Sequence, residues 1–322
     1  MATAEPLARA GRLAVVDCGS NSTRLLIAQV RAGGVRPLLR RTVITRLGGQ
    51  VERTGRLADA AVRRVVAVID DFAGQWRSAG VDRVAVCATS AVRDAANARH
   101  FADGVVRVTG VAPVVLSGAQ EAELTFAGAV AATTGRQVVC DVGGGSTELI
   151  VGAGTPLHRV SLQLGSVRLR ERHLQQDPPT AEEYGALLAD IDGVLRRQSA
   201  VFTAEGDVPL VAVAGTATTL AGVTAGVGPD ELDRVDGMVL SRRELEQVIE
   251  DLAWLPARDR LRHPAIVPGR EDVVVTGAML LARVLARFGF RSLRVRVADL
   301  LDGVALRLAA GGWPPGVGMV HR

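Results

Sequence analysis

A weak internal repeat constrains the fold of this chain more than any other feature. The segment DCGSNSTRLLIA, which begins at Asp17, aligns with DVGGGSTELIVG, which begins at Asp141, and five of the twelve positions are identical. Each segment follows a short apolar strand pattern and continues into a second apolar, β-branched stretch. Each is therefore predicted to be a β-hairpin with a polar tip, and the chain is predicted to contain two related halves.

The tips of the two predicted hairpins are suited to phosphate binding. Glycine allows the backbone to approach a ligand and to turn its N–H groups toward it, while serine and threonine hydroxyls add donors. A dinucleotide-binding loop would have to open a helix, whereas Gly143, Gly144 and Gly145 precede a strand pattern at 148–151, which argues against a Rossmann fold. A single tip of this kind is often a plain hairpin turn, but its repetition favours a pair of phosphate loops.

The length of 322 residues suits two domains and therefore a cleft between them. We predict an N-terminal domain over residues 1–130 and a second domain over 131–298. A last helix over 299–310 is predicted to return to the first domain, and the tail over 311–322 to be loose. Strand and helix patterns alternate between the two loops, so the predicted fold class is α/β.

Composition excludes several kinds of site. All 38 basic residues are arginines. The absence of lysine excludes Schiff-base chemistry, and it also excludes the type of phosphate loop whose lysine binds the phosphates. The formal net charge of +4 fits an anionic ligand without requiring one. The sequence contains no GxSxG or HExxH motif, and its five histidines adjoin no acidic partner or metal-ligand spacing. Catalysis by histidine is therefore not expected.

The cysteines and the apolar segments indicate the compartment. Cys18, Cys87 and Cys140 stand alone in apolar strand patterns, without CxxC spacing, and are predicted to be buried free thiols. The sequence contains no run of 18 apolar residues and no apolar segment near its start. We therefore expect a cytoplasmic protein that binds no membrane and no specific nucleic acid. The oligomeric state stays open, a homodimer included.

Four carboxylates are the remaining candidates for chemistry. Asp17 and Asp141 end strands at the two loops, and Glu148 leaves the second loop. Glu121 lies in the first turn of a helix that is predicted from a capping box at Ser117. Hydrolysis of a phosphoanhydride needs donors on the phosphoryl oxygens, a divalent cation and a group that positions water. Carboxylates can supply the last two requirements, although they also stabilise helix starts and turns.

Two further segments stand out. ATSAVRDAAN, from Ala88, follows a predicted strand and places Arg93 and Asn97 within reach of a phosphate. AGTATTL, from Ala214, is predicted to be a Gly/Thr turn after a buried strand. It is either another phosphate loop or a cap.

Together these segments resemble the family of exopolyphosphatases and guanosine pentaphosphate phosphohydrolases, within the actin, sugar-kinase and heat-shock chaperone superfamily. The resemblance covers most of the chain and rests on DCGSNSTRL, ATSAVRDAAN, LSGAQEAEL, DVGGGSTEL, SLQLGSVRL and AGTATTLAG. It implies two actin-like, ribonuclease H-like domains with an interdomain cleft. It also implies metal-dependent release of orthophosphate from inorganic polyphosphate, with guanosine pentaphosphate (pppGpp) as the alternative substrate. An actin-like ATP-dependent kinase and a non-catalytic phosphate or nucleotide sensor are the other hypotheses.

The resemblance also implies roles for individual residues. Glu121 would be the general base for water, while Asp141 and Glu148 would hold the water and Mg²⁺ or another divalent cation. The phosphate contacts would be Ser20, Asn21, Ser22, Arg93, Gly144, Gly145 and Ser146. The chain departs from the family at Gln120, where relatives often carry a second glutamate. It also ends before the C-terminal helical region of longer relatives, so short and medium polyphosphate chains are expected to be used at least as well as very long ones.

Overall fold

The computed structural model describes residues 11–313, apart from residues 32, 33, 132 and 134. These residues form two mixed sheets, each flanked by helices, so the predicted α/β fold class is confirmed. The part of the predicted tail beyond residue 313 lies outside the described residues.

Within the described residues, the strands are β1 (Arg12–Cys18), β2 (Ser22–Arg31), β3 (Gly34–Ile44), β4 (Arg83–Ala88), β5 (Val114–Val115), β6 (Gln137–Val142), β7 (Thr147–Ala153), β8 (Thr155–Leu162), β9 (Leu210–Val213), β10 (Val239–Ser241) and β11 (Ser292–Val295). The α-helices are α1 (Val51–Thr54), α2 (Asp59–Ser78), α3 (Ser90–Arg93), α4 (Ala98–Thr109), α5 (Gly118–Val130), α6 (Ser166–His173), α7 (Ala181–Arg196), α8 (Ala214–Ala225), α9 (Arg242–Ala253), α10 (Ala257–Arg260), α11 (Val274–Phe288) and α12 (Leu300–Ala309). Short 3₁₀ helices cover Ala200–Phe202 and Pro229–Arg234.

Five strands of the second sheet repeat the strand order of the first when they are counted from the opposite edge, and β10 is an additional strand. The first sheet has the order β3-β2-β1-β4-β5, and the second has the order β10-β11-β9-β6-β7-β8. In each sheet an antiparallel hairpin, β1–β2 or β6–β7, continues into a third antiparallel strand. On its other side the hairpin is joined by two parallel strands, β4 and β5 or β9 and β11. Both predicted hairpins are therefore confirmed, and the sequence repeat extends to the topology of the sheets.

The strand β1, which leads into the first loop, is buried on both faces of its sheet. Every residue of β1 after Arg12 is buried, as its nearly continuous apolar run dictates. The helix α2 packs its apolar face, which includes Phe72 and Trp76, on one side of this sheet. The helix α12 packs on the other side, where Val304 lies in one cluster with Leu13. The last helix thus contacts the first sheet, while the domain boundaries stay a prediction.

The helix α5 brings the start of the second half close to the first. Its buried residues Ala122 and Phe126 pack against Ile150 of β7 in the second sheet. Its other neighbour is α12, which lies on the first sheet. The first turn of α5, with Glu121, therefore lies where the two halves meet.

The segment AGTATTL corrects a prediction. It forms the first turns of α8, which begins at Ala214 directly after β9, and it is not an open Gly/Thr turn. Ala214 adopts a left-handed φ of 62°, which makes the sharp change from strand to helix. The residues Thr216, Ala217 and Leu220 are buried, and tertiary packing therefore decides in favour of helix.

Two further observations on the described residues concern the cysteines and the length of the helices. Cys18, Cys87 and Cys140 are buried free thiols, as predicted. None of the helices that the structure describes combines the length and the apolar character needed to cross a lipid bilayer.

Candidate active site

The two hairpin tips face one cleft, together with the starts of α3, α5 and α8. The lining side chains and backbone groups come from both halves: Asp17, Gly19, Ser20, Asn21, Ser22, Arg24, Thr89, Ser90, Glu121, Asp141, Gly143, Gly144, Ser146, Gly215, Thr216 and Arg270. The loops are in close contact, because a Cβ on Gly145 would fall 2.5 Å from Ser90 Oγ and 2.7 Å from Ser20 Oγ. Only glycine allows this approach.

The first loop presents its N–H groups to the cleft because its carbonyl groups are held from behind. The Ser20 carbonyl accepts a hydrogen bond from the Gly48 N–H at 2.7 Å, and the Asn21 carbonyl accepts from Thr45 and Arg46 at 3.0 and 2.9 Å. The N–H groups of Ser20 and Asn21 donate to no other group in the described part of the protein. They remain available to an anion.

The second loop has the same arrangement with a different support. The Gly143 carbonyl accepts from the Ser166 N–H and the Gly144 carbonyl from the Val167 N–H, both at 2.9 Å. These two donors are the first N–H groups of α6, which have no partner within their own helix. Among the described groups, the N–H groups of Gly144 and Gly145 find no acceptor, so this loop too retains donors for a phosphate.

Glu121 is a buried carboxylate in the first turn of α5, with 7% of its surface exposed. Burial raises its pKa from 4.5 to about 7, although its ion pair with Arg93 acts in the opposite direction. Arg93 Nη1 donates to Glu121 Oε2 at 2.9 Å and to the Leu116 carbonyl at 2.8 Å. Arg93 Nη2 is buried and has no partner among the described residues. Arg93, Gly145 and Glu148 lie behind the residues that line the cleft.

Asp141 and Glu148 lie opposite each other on β6 and β7. Burial, followed by the charge of Asp299, raises the pKa of Asp141 to about 8. Burial, followed by the charges of Glu121 and Asp141, raises the pKa of Glu148 well above its usual range. Ser161 Oγ donates to Glu148 Oε1 at 2.7 Å, whereas the carboxylate of Asp141 has no hydrogen bond or ion pair with a described group.

Arg24 is a cleft residue that the sequence left without a role. It donates to Asp17 Oδ2 from Nε at 3.0 Å and from Nη2 at 2.8 Å, and it also pairs with Asp299. Arg24 lies opposite Asp17 as Glu148 lies opposite Asp141, and the two positions correspond in the sequence repeat. The repeat could therefore have identified Arg24, whereas Asp299 is too distant in the sequence to be found this way.

Arg270 is a second residue that the sequence did not indicate. Its guanidinium group lies against Gly215 at the start of α8. Burial, followed by the charge of Arg24, lowers its pKa to about 10, which leaves it protonated at neutral pH. No carboxylate of the described residues pairs with it, and an unpaired cation on a cleft wall suits a phosphate.

Two sequence expectations differ from the structure. The side-chain amide of Asn97 bonds the backbone N–H and carbonyl of Leu57, at 2.8 and 2.9 Å, and does not line the cleft. His173 has an acidic partner after all, because its Nε2 lies 2.8 Å from Asp190 Oδ2. That partner is distant in the sequence, and neither residue lines the cleft.

The carboxylates fit a divalent cation that is shared with the substrate. Within the described residues, no three His, Cys, Asp or Glu side chains are arranged to hold a metal ion by themselves. However, the charges of Glu121 and Asp141 raise the pKa of Glu148, the charge of Glu121 also raises the pKa of Asp141, and Asp17 Oδ1 is buried without a partner. Mg²⁺ in phosphoryl-transfer sites typically takes one or two carboxylates and completes its shell with water and substrate phosphates. The donors present match that pattern.

A second cavity of about 460 Å³ adjoins the cleft. The two share Arg24, Gly215 and Arg270. Apolar side chains, which include Val227 and Val267, form much of the remaining wall.

Comparison with known proteins identifies the family. Residues 26–310 match the Ppx/GppA phosphatase family. A Mycobacterium tuberculosis protein named exopolyphosphatase 2 is 37% identical over 314 residues, which cover 92% of this chain and 98% of that protein. Among solved structures, an exopolyphosphatase-like protein has a TM-score of 0.87 and 34% identity, with 94% of this chain and 98% of its own chain covered. The PPX-GPPA enzyme of Aquifex aeolicus has a TM-score of 0.77 and 31% identity, with 94% and 100% covered. Because these matches span most of its length, this chain belongs to the Ppx/GppA phosphatase family.

Proposed function

We propose that this protein is an exopolyphosphatase, which hydrolyses the terminal phosphoanhydride bond of inorganic polyphosphate and releases orthophosphate. The observation that carries the proposal is the combination of Glu121, whose pKa is raised to about 7, with two loops of free N–H groups in one cleft. A carboxylate with this pKa is a better proton acceptor at neutral pH than an ordinary glutamate. The names of the relatives support the same activity.

In this proposal the terminal phosphoryl group binds between the two loops. The transition state of phosphoryl transfer spreads negative charge over three equatorial oxygens, and fixed donors stabilise that charge without reorganising. The groups that we assign to these oxygens are Ser20, Asn21, Ser22, Arg93, Gly144, Gly145, Ser146 and Arg270.

Glu121 removes the proton from the attacking water. Because Arg93 occupies Oε2, the other carboxylate oxygen is the one that accepts the proton. Asp141 and Glu148 orient the water and would hold Mg²⁺, which would supply positive charge against the phosphoryl oxygens. The oxygen of water forms a bond to the terminal phosphorus, the bond to the bridging oxygen breaks, and the shortened chain leaves with the negative charge on its new end.

Guanosine pentaphosphate is the second candidate substrate, and the adjoining cavity favours it. A volume of about 460 Å³ with partly apolar walls is in the range of small-molecule sites. A nucleoside bound there would place its 5′-phosphates past Arg24 and Arg270 and into the cleft. The same chemistry would then release the terminal phosphate.

The proposed enzyme is cytoplasmic. Its three buried free thiols suit a reducing compartment, where disulfides are rare. A homodimer stays a prediction, which light scattering of the purified protein tests.

A substrate panel tests the proposed function. The purified protein is incubated with Mg²⁺ and, separately, with polyphosphates of defined length, guanosine pentaphosphate, and ATP with candidate acceptors. Orthophosphate is measured and the products are resolved on gels, with Glu121→Gln as the inactive control. Orthophosphate with a ladder of shortening chains supports the exopolyphosphatase. Release from guanosine pentaphosphate alone supports the second candidate, ATP-dependent phosphorylation of an acceptor alone supports a kinase, and binding without turnover supports a sensor.

A further inference from the structure

The motif SLQLGSVRL contains an arginine that the proposed chemistry does not use and that contacts both halves of the protein. Arg168 lies in α6, and only 14% of its side chain is exposed. Its Nε donates to the Gly145 carbonyl at 2.8 Å, its Nη1 pairs with Glu52, and its Nη2 lies 2.6 Å from Asp94 Oδ2. One guanidinium group therefore joins the second phosphate loop to two residues of the other half.

On the side of the second loop, α6 and the loop form one unit. Gly165 precedes α6, and any side chain there would overlap the carbonyl of Gly144. The first N–H groups of α6 donate to the loop carbonyls, as described above. A displacement of α6 would therefore displace the loop, and Arg168 extends this unit across the cleft.

On the other side, Asp94 ends the segment that organises the first loop and the general base. Asp94 is the residue after α3 and directly follows Arg93, which bonds Glu121. Ser90, at the start of α3, lies 3.0 Å from Ser20 of the first loop, Oγ to Oγ. Through Asp94 and α3, the contacts of Arg168 therefore connect the second loop both to the first loop and to Glu121.

We infer that Arg168 is a positioning residue that holds the second phosphate loop in register with the first loop and with Glu121 when the cleft is closed. Its kinetic consequence rests on the proposed function, whereas the coupling between the halves does not. A displacement of about 1 Å in a site that aligns water with phosphorus can cost roughly a hundredfold in rate. Arginine suits this place because its planar fork offers donors in three directions, whereas the compact ammonium of lysine cannot reach all three acceptors at once.

Arg172 provides a matched control on the same helix. Arg172 also pairs with Glu52, at 2.6 Å, and with Asp190, at 2.7 Å, but it has no contact with the loop. For Arg168→Met we expect kcat/KM for polyphosphate to fall about a hundredfold. Arg172→Met is expected to lose threefold or less, since it breaks only partly exposed ion pairs, and Arg168→Lys should lie between the two.

A distance measurement tests the coupling without substrate. Spin labels are attached at Arg99→Cys on α4 and at Arg262→Cys after α10, two highly exposed positions in different halves, while the native cysteines are buried. Double electron–electron resonance should give a broader and longer distance distribution for Arg168→Met than for the parent, and an unchanged one for Arg172→Met. If the parent hydrolyses no phosphoanhydride, the proposed function fails and this measurement still decides the inference.

The inference is overturned if Arg168→Met matches Arg172→Met in both kcat/KM and distance distribution. If Arg168→Met does not fold, Asp94→Asn, which removes one arm of the same junction, replaces it. We expect this variant to lower kcat/KM about tenfold and to broaden the distribution in the same direction. Parent values of both quantities in Asp94→Asn would also contradict the role of Arg168.

Discussion

The two phosphate loops occupy matching places in the two sheets but differ in charge at one position. In the first, Asp17 on β1 faces Arg24 on β2, which bonds it at 3.0 and 2.8 Å. In the second, Asp141 on β6 faces Glu148 on β7, and the charge of Asp141 raises the pKa of Glu148. The same cross-strand pair is thus an ion pair in one loop and a pair of acids in the other.

This difference separates two tasks that a phosphohydrolase needs. Both loops present free N–H groups, so both can bind phosphoryl oxygens. Only the second has uncompensated carboxylates, which can orient water and attract a divalent cation. In the first loop, Arg24 pairs with Asp17 and so reduces the negative charge that an anion would meet. The two loops of the repeat are therefore similar in backbone and differ in charge at one position.

The largest expected effect comes from removing the base while both loops stay intact. Glu121→Gln should lower kcat by roughly two to four decades, because the amide cannot accept a proton from water. KM should change little, since the phosphate contacts lie on the loops. Glu123→Gln, on the same helix but half-buried and paired with Arg307, is the control and should keep kcat within about twofold of the parent. Near-parental phosphate release by folded Glu121→Gln would exclude Glu121 as the base.

Substitutions at the corresponding repeat positions should change stability with opposite signs. Arg24→Met leaves Asp17 and Asp299 buried without their cation and should lower the free energy of unfolding by about 3–5 kcal/mol. Glu148→Gln removes a buried acid whose ionised form the fold disfavours, as its raised pKa shows, and should therefore raise the free energy of unfolding at pH 7, while Ser161 can still donate to the amide oxygen. Urea denaturation at pH 7 without metal measures both. Changes of the same sign would mean that the charge difference does not govern the two loops.

The two aspartates should differ in their effect on the metal requirement. Asp141→Asn should raise the Mg²⁺ concentration for half-maximal activity by roughly tenfold to a hundredfold, since an amide is a weaker ligand for a hard cation. Asp17→Asn should shift it less than about threefold, because Arg24 already neutralises that carboxylate. Titration of activity with Mg²⁺ gives the requirement, and calorimetry on the resting enzyme gives Mg²⁺ binding directly. Equal shifts in the two variants would contradict the assignment of the cation to the second loop.

Local patterns were enough to predict the scaffold of the site. The hairpins, the capping box before Glu121 and the cluster of loop residues all follow from spacing within short segments, so they could be predicted from the sequence. The pairing of Arg24 with Asp299 and of Arg168 with Asp94 joins residues far apart in the chain, and no local pattern contains it. The AGTATTL segment was predicted wrongly because its Gly and Thr residues are typical of turns, while burial stabilises them as helix. The roles of the individual site residues stay predictions.

The last expected effect is a change of rate with pH, which separates the base from the phosphate-binding donors. The pKa of Glu121 is raised from 4.5 to about 7, so near pH 6 most of this side chain is protonated and cannot accept a proton from water. With saturating Mg²⁺, kcat/KM should therefore fall about tenfold per pH unit below pH 7 and level off above it.

The free energy of unfolding should depend on pH in the opposite direction. The folded protein binds more protons than the unfolded chain between pH 4.5 and about 7, so the free energy of unfolding should fall as pH rises through that window. Initial rates from pH 5 to 9 and urea denaturation in chelator measure the two trends, and Glu121→Gln should make the second less steep without abolishing it, because the pKa of Asp141 is also raised. A rate that stays constant down to pH 5 in the parent enzyme would mean that the proton of the attacking water goes to a different group.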